Sequence, residues 1–96
     1  MIVNFASQSA EDIYHGISSK EARKVPQDLW KTARRKLDML DAAVSVGDLR
    51  APPANRLEAL KGKLEGFYSI RVNNQYRLIF QFRDGNAFDI DIVDYH

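Results

Sequence analysis

Residues 66–96 read GFYSIRVNNQYRLIFQFRDGNAFDIDIVDYH, and their apolar side chains recur with a period of two. That period belongs to strands with one buried face. Two turn signals divide the stretch. Asn73 and Asn74 tolerate the left-handed geometry of a tight hairpin, and RDGN (83–86) supplies a second reversal. The expectation is a three-strand antiparallel meander. With Asn73-Asn74 as a two-residue turn, Val72 faces Gln75 and Ile70 faces Arg77. Tyr76, Leu78, Phe80 and Phe82 then share the core face, and Arg77, Gln81 and Arg83 share a wetter one. On the last strand Phe88, Ile90 and Ile92 point one way, with Asp89, Asp91 and Val93 opposite.

Upstream the period becomes helical. Val25, Leu29, Ala33, Leu37, Leu40 and Val44 are spaced by three or four and form one apolar stripe. This predicts a helix from near Pro26 to before Gly47. Lys31, Arg34, Arg35 and Lys36 fall largely off the stripe, and Arg34 can pair with Asp38 one turn on. Ser9 with Asp12 fits a capping box for a shorter helix carrying Ala10, Ile13, Tyr14 and Ile17. His15 lies off that stripe and is expected in solvent. IVNF (2–5) reads as a short strand and LEALK (57–61) as a weak one, while APPAN (51–55) breaks regular structure. Trp30 and Phe67 are expected to be buried rather than to stack on bases. The fold class is therefore α+β. A short N-terminal strand and two helices pack on a mainly antiparallel sheet that ends in the meander, in one domain spanning 1–96.

Composition narrows the function classes. Ordinary apolar content of 45% indicates a globular chain. The absence of cysteine excludes a disulfide scaffold and thiolate metal sites. Neither a signal peptide nor a run long enough to span a membrane is present, so a cytoplasmic location with no membrane partner is expected. The net charge of +1 conceals segregation. Residues 20–36 and 50–83 each carry seven basic against two acidic side chains, a net of +5 apiece, and the remainder sums to −9. Two basic blocks are one footprint of a polyanion partner; a solvated helix face with scattered strand arginines gives the same count.

The familiar catalytic motifs are missing: HExxH, a P-loop, GxGxxG and a nucleophile elbow. Two histidines without cysteine argue against a structural metal, and no cofactor is expected. What remains is Arg77, Lys61 near the start of the sheet, and Asp94, Tyr95 and His96 beyond the last strand. Such groups can move protons and stabilise phosphate charge without a metal, as attack by an RNA 2′-hydroxyl requires. Terminal side chains of these types also occur as solvent-facing decoration.

The run NRLEALKGKLEGFYSIRVNNQYRLIFQF (55–82), followed by the terminal DIVDYH, resembles the HigB branch (plasmid-maintenance killer proteins) of the RelE/ParE toxin superfamily. The resemblance is strong from about residue 48 onward and weaker through the helices. It implies the toxin of a type II toxin–antitoxin pair, a ribosome-dependent mRNA endonuclease neutralised by a helix-turn-helix, HigA-like antitoxin. Operator DNA would be met only through the antitoxin complex. Arg77 matches the arginine that stabilises the scissile phosphate. Asp94, Tyr95 and His96 match the D-Y-H end implicated in acid–base chemistry, and Lys61 matches a residue that steers RNA. Glu58 stands where some members carry histidine, as a base or a passive replacement. Lys31, Arg34, Arg35, Lys63, Arg71 and Arg83 are the candidate contacts to RNA or ribosome. A ParE-like inhibitor of DNA gyrase, with the same fold and no need of acid–base groups, is the alternative.

Overall fold

A computed structural model describes residues 1–95. The meander is present as β2 (Phe67–Arg71), β3 (Tyr76–Arg83) and β4 (Asn86–Asp94), with the two-residue β1 (Glu58–Ala59) on the far side of β2. The sheet order is β1-β2-β3-β4, and every pair is antiparallel. The IVNF segment runs beside β4 in the parallel sense, through bridges from Ile2 to Ala87 and from Phe5 to Ile90.

Both helices form where the apolar stripes require them, with shifted ends. Helix α1 (Gln8–Tyr14) is capped by Ser7, whose hydroxyl accepts from the Ala10 N–H at 3.1 Å. Ser9 is not the cap. Its hydroxyl donates to the Glu21 carbonyl at 2.7 Å, while Asp12 accepts from Gln8 and Ser19. Gly16, at φ +73°, turns the chain out of the helix and leaves Ile17 exposed. Helix α2 (Trp30–Ala42) follows a 3₁₀ turn at Gln27–Leu29. It buries Ala33, Leu37 and Leu40, but Val44 lies beyond its end and is 78% exposed. The cause is a stop at Ser45 and Asp48, where the Asp48 carboxylate accepts from the Val44 and Ser45 N–H groups at 2.9 and 3.2 Å. Trp30 is buried as expected, its indole N–H donating to the Val25 carbonyl at 2.9 Å.

The core lies between the helices and one sheet face, where Ile70, Leu78, Phe80, Ala87, Ile90 and Ile92 meet Ala10, Ile13, Ala33, Leu37 and Leu40. Burying a side chain such as Phe80 contributes roughly 1.5–3 kcal/mol.

Two register details depart from expectation. The β2–β3 loop holds three residues, not two, because Arg71 pairs with Arg77 and the Val72 N–H donates to the Tyr76 carbonyl at 2.9 Å. Asn73 sets this register, since its side-chain oxygen accepts from the N–H groups of Gln75 and Tyr76. In β4 a register shift opposite Ile79–Gln81 places Asp89 at φ +53°. This bulge turns Ala87 into the core and puts Phe88 on the other face, opposite Gln81, so Phe88 does not align with Ile90 and Ile92.

Candidate active site

The sheet face turned away from the helices carries Glu58, Ser69, Arg71, Arg77 and Val93, because directly paired residues share a face. Arg77 lies on it as phased, yet it is only 7% exposed. Its guanidinium is fixed on several sides. Nε donates to the Ser69 hydroxyl at 2.9 Å, and Nη2 donates to the Arg56 carbonyl at 2.6 Å and to the Ser69 carbonyl at 3.5 Å. Nη1 faces the Glu58 carboxylate at 3.5 Å. The Tyr95 N–H donates to the Gln75 carbonyl at 2.6 Å, which continues the β3–β4 pairing past Asp94. The Tyr95 ring then lies with its centroid 5.4 Å from the Arg77 guanidinium carbon, a cation–π contact.

An open cleft of about 320 Å³ is lined by Arg56, Arg71, Asn73, Asn74, Arg77 and Tyr95. Three arginines thus line one concavity. Arg71 is steadied by the Asn74 side-chain carbonyl, and Arg77 forms part of the cleft wall with its planar fork already oriented. Among the described residues, Glu58 is the carboxylate within 4 Å of Arg77. The arrangement suits a phosphate group, with a carboxylate and a phenol close by.

A family model of the RelE-like toxin HigB of type II toxin–antitoxin systems matches residues 3–96. The chain belongs to the HigB-like toxin family. It is 46% identical over 89 residues to "Toxin HigB-1" of Vibrio cholerae, covering 93% of this chain and 92% of that one. It is 38% identical over 61 residues to "Endoribonuclease HigB" of Proteus vulgaris, covering 64% and 65%. The fold is also that of the YoeB toxin in the Staphylococcus aureus YoeB–YefM complex, with a TM-score of 0.63 at 24% identity over 100% of this chain and 95% of that one. The S. aureus YoeB dimer gives a TM-score of 0.59 at 25% identity over 99% and 94%. The chain is thus a type II toxin, and a gyrase-directed activity is not favoured.

In this HigB-like toxin the site residues expected from sequence separate into two groups. Arg77, Tyr95 and Arg71 come together at the cleft, and Glu58 contacts Arg77 without forming part of the lining. Asp94 is exposed beside it, accepting from the Gln75 side-chain amide at 3.1 Å. His96 lies outside the described residues. Lys61 and Lys63 are exposed near the 3₁₀ turn Gly62–Leu64 and do not line the cleft. Lys31, Arg34 and Arg35 lie along α2, also outside the lining. Arg83 covers the Phe88 ring, its guanidinium carbon 4.2 Å from the centroid. Sequence reasoning did not single out Arg56 and Ser69, which hold Arg77 through a backbone carbonyl and a hydroxyl that no motif marks.

Proposed function

We propose that this toxin is a metal-independent endoribonuclease that cleaves mRNA on the ribosome. One observation carries the reading: a strand arginine immobilised by Ser69 and Arg56, with the Glu58 carboxylate at 3.5 Å and the Tyr95 ring at 5.4 Å. The name of its P. vulgaris relative, an endoribonuclease, supports it.

In the proposed reaction the RNA 2′-oxygen attacks the adjacent phosphorus. The 2′-hydroxyl proton passes to Glu58, the bond from phosphorus to the 5′-oxygen breaks, and that oxygen receives a proton from the Tyr95–His96 end. The products are a 2′,3′-cyclic phosphate and a 5′-hydroxyl, so atoms and charge balance without a metal. Arg77, with Arg71 and Arg56 beside it, stabilises the charge that grows on the phosphoryl oxygens. Dependence on the ribosome follows if the ribosome presents the message in the required strained geometry. Lys31, Arg34, Arg35, Lys61, Lys63 and Arg83 supply contacts to RNA phosphates around the cleft. The partner that restrains the toxin is a helix-turn-helix, HigA-like antitoxin, operator DNA is reached through that complex, and the site of action is the cytoplasm.

Mapping the ends of a ribosome-bound message after incubation with the purified toxin tests the reading. Cyclic phosphate ends are expected, and a message with a 2′-deoxy nucleotide at the cut should be bound but intact. Cleavage of the deoxy message would overturn the mechanism. Equal cleavage of free RNA would overturn the ribosome dependence.

A further inference from the structure

Lys36 is a buried cation that the proposed reaction does not use. It sits on α2 at 6% exposure, and its ammonium donates to the side-chain carbonyl of Asn55, which is fully buried. Among the described residues no carboxylate lies within ion-pair distance of it. Packing alone does not call for a charge there, because an apolar side chain of that length fills the same space without the cost of desolvating an ammonium. Burial, together with the Arg35 and Arg71 charges, lowers its pKa. Lys36 therefore feels Arg71, which lines the cleft.

The contacts of Asn55 show what the ammonium supports. The Asn55 amide donates to the Leu49 carbonyl at 3.1 Å and to the Ala51 carbonyl at 3.4 Å, which closes the 49–55 segment on itself. Its remaining polar atom, the oxygen, is tied to α2 through Lys36. The next residue, Arg56, is left-handed at φ +46° and ψ +57°, a conformation that a non-glycine residue keeps only when its surroundings enforce it. The Arg56 carbonyl is the acceptor 2.6 Å from Arg77 Nη2. From this continuous path we infer that Lys36 and Asn55 form a buried strut between α2 and the 49–56 segment. The strut sets the Arg56 carbonyl and, through it, the orientation of the Arg77 guanidinium. Lys36 is then a positioning residue: it touches no substrate and acts through Arg77.

The inference rests on the assignment of Arg77 to the scissile phosphate, and the test separates the two. The probes are Lys36→Met, which keeps the stem and removes the ammonium, and the milder Lys36→Gln should Met prevent folding. Two readouts are taken on folded protein: the Arg77 Nε–H resonance by NMR, and single-turnover cleavage of ribosome-bound mRNA with Arg77 intact or replaced by alanine. The resonance should shift or broaden. The cleavage rate should fall on the order of tenfold to a hundredfold at unchanged KM, as expected when a catalytic group is slightly misplaced. In the Arg77→Ala background the same substitution should cost nothing further. Lys36→Arg, which keeps a cationic donor, should recover most of the rate. An unchanged Arg77 resonance, an equal loss in both backgrounds, or a loss confined to KM would overturn the strut. Full activity of Arg77→Ala alone would instead remove the cleavage mechanism, and the resonance would still decide whether the strut exists.

Discussion

The Glu58 carboxylate lies 3.5 Å from Arg77 Nη1, although β1 and β3 are not neighbours in the sheet. The contact reaches across β2, above Ser69, the residue that pairs with Glu58 on one side and hydrogen-bonds Arg77 on the other. Glu58 is half-exposed and Arg77 nearly buried, so the pair presents a solvent-facing carboxylate beside a fixed cation.

Replacing Arg77 tests the cation and the scaffold at once. Arg77→Ala should slow cleavage about a hundredfold, the loss of one strong transition-state contact. It should also lower stability by about 1–3 kcal/mol, because the buried Ser69 hydroxyl loses its partner. Arg77→Lys should recover part of the rate only, since an ammonium cannot make the planar fork. Single-turnover cleavage and a urea melt of each variant check this.

Glu58 as the base predicts a distinct pattern. Glu58→Gln should slow cleavage by roughly 10²–10⁴, the usual contribution of a positioned base. It should also tighten binding of an uncleavable 2′-deoxy message, because a negative charge beside the phosphate is gone. Glu58→His should restore activity with the rising limb of the pH–rate profile displaced upward, because an imidazole is a stronger base than a carboxylate. A fully active Glu58→Gln would make this residue a bystander.

Tyr95 contributes through its ring and its backbone separately. Tyr95→Phe keeps the contact with Arg77 and the bond to Gln75, and removes only the hydroxyl. It should melt like the parent and cleave more slowly. Removing both Tyr95 and His96 should cost a further step in rate and about 1 kcal/mol of stability, since one ladder hydrogen bond is lost. Matched melts and growth-arrest assays distinguish these outcomes.

Acid sensitivity should trace to two carboxylates remote from the cleft. The Ser19 hydroxyl, then the Gln8 amide, hold the Asp12 pKa below its ordinary value, with burial opposing and the His15 charge assisting. The Val44 and Ser45 N–H groups do the same for Asp48, aided by the Ser45 side chain and opposed by burial. A folded-state pKa below the unfolded one stabilises the fold above the unfolded value, about 3.9. That contribution is lost as pH falls through the folded value. Asp12→Asn with Asp48→Asn should therefore be less stable at neutral pH and show a flatter loss of stability below about pH 4, measured by chemical denaturation across that range.

How much of this was legible in the chain depended on the range of the interactions. The period-two pattern placed Arg77 on the correct face because alternation is a local property. Its burial was not legible, since Ser69 and Arg56 stand 8 and 21 positions away and act through a hydroxyl and a carbonyl. The turn slipped by one residue because Asn73 used its side chain to cap the loop, a choice that Asn-Asn alone does not reveal. The β4 bulge escaped for a longer-range reason. Asp89 is held left-handed by reciprocal hydrogen bonds with Asn4, at a separation of 85 residues. Val44 illustrates the opposite error, an apolar residue in helical phase that a carboxylate four positions on removed from the helix.

The seam between residues 1–6 and β4 has an entropic consequence. Four backbone hydrogen bonds join it, from Val3 to Ala87, Ala6 to Ile90, Ala87 to Met1 and Ile90 to Asn4. The Ala87–Ile90 part of β4 is thereby paired on both sides and offers no bare edge there to another chain. Closing a loop of some 85 residues costs about 3 kcal/mol more than closing the three-residue turn between β2 and β3, if both are treated as flexible. Four bonds of about 1 kcal/mol each only just exceed that. The apolar contacts of Ile2 and Phe5 with the core must supply the remaining margin. Two side chains near the start of the chain thus decide whether the first half of β4 is sealed on both sides.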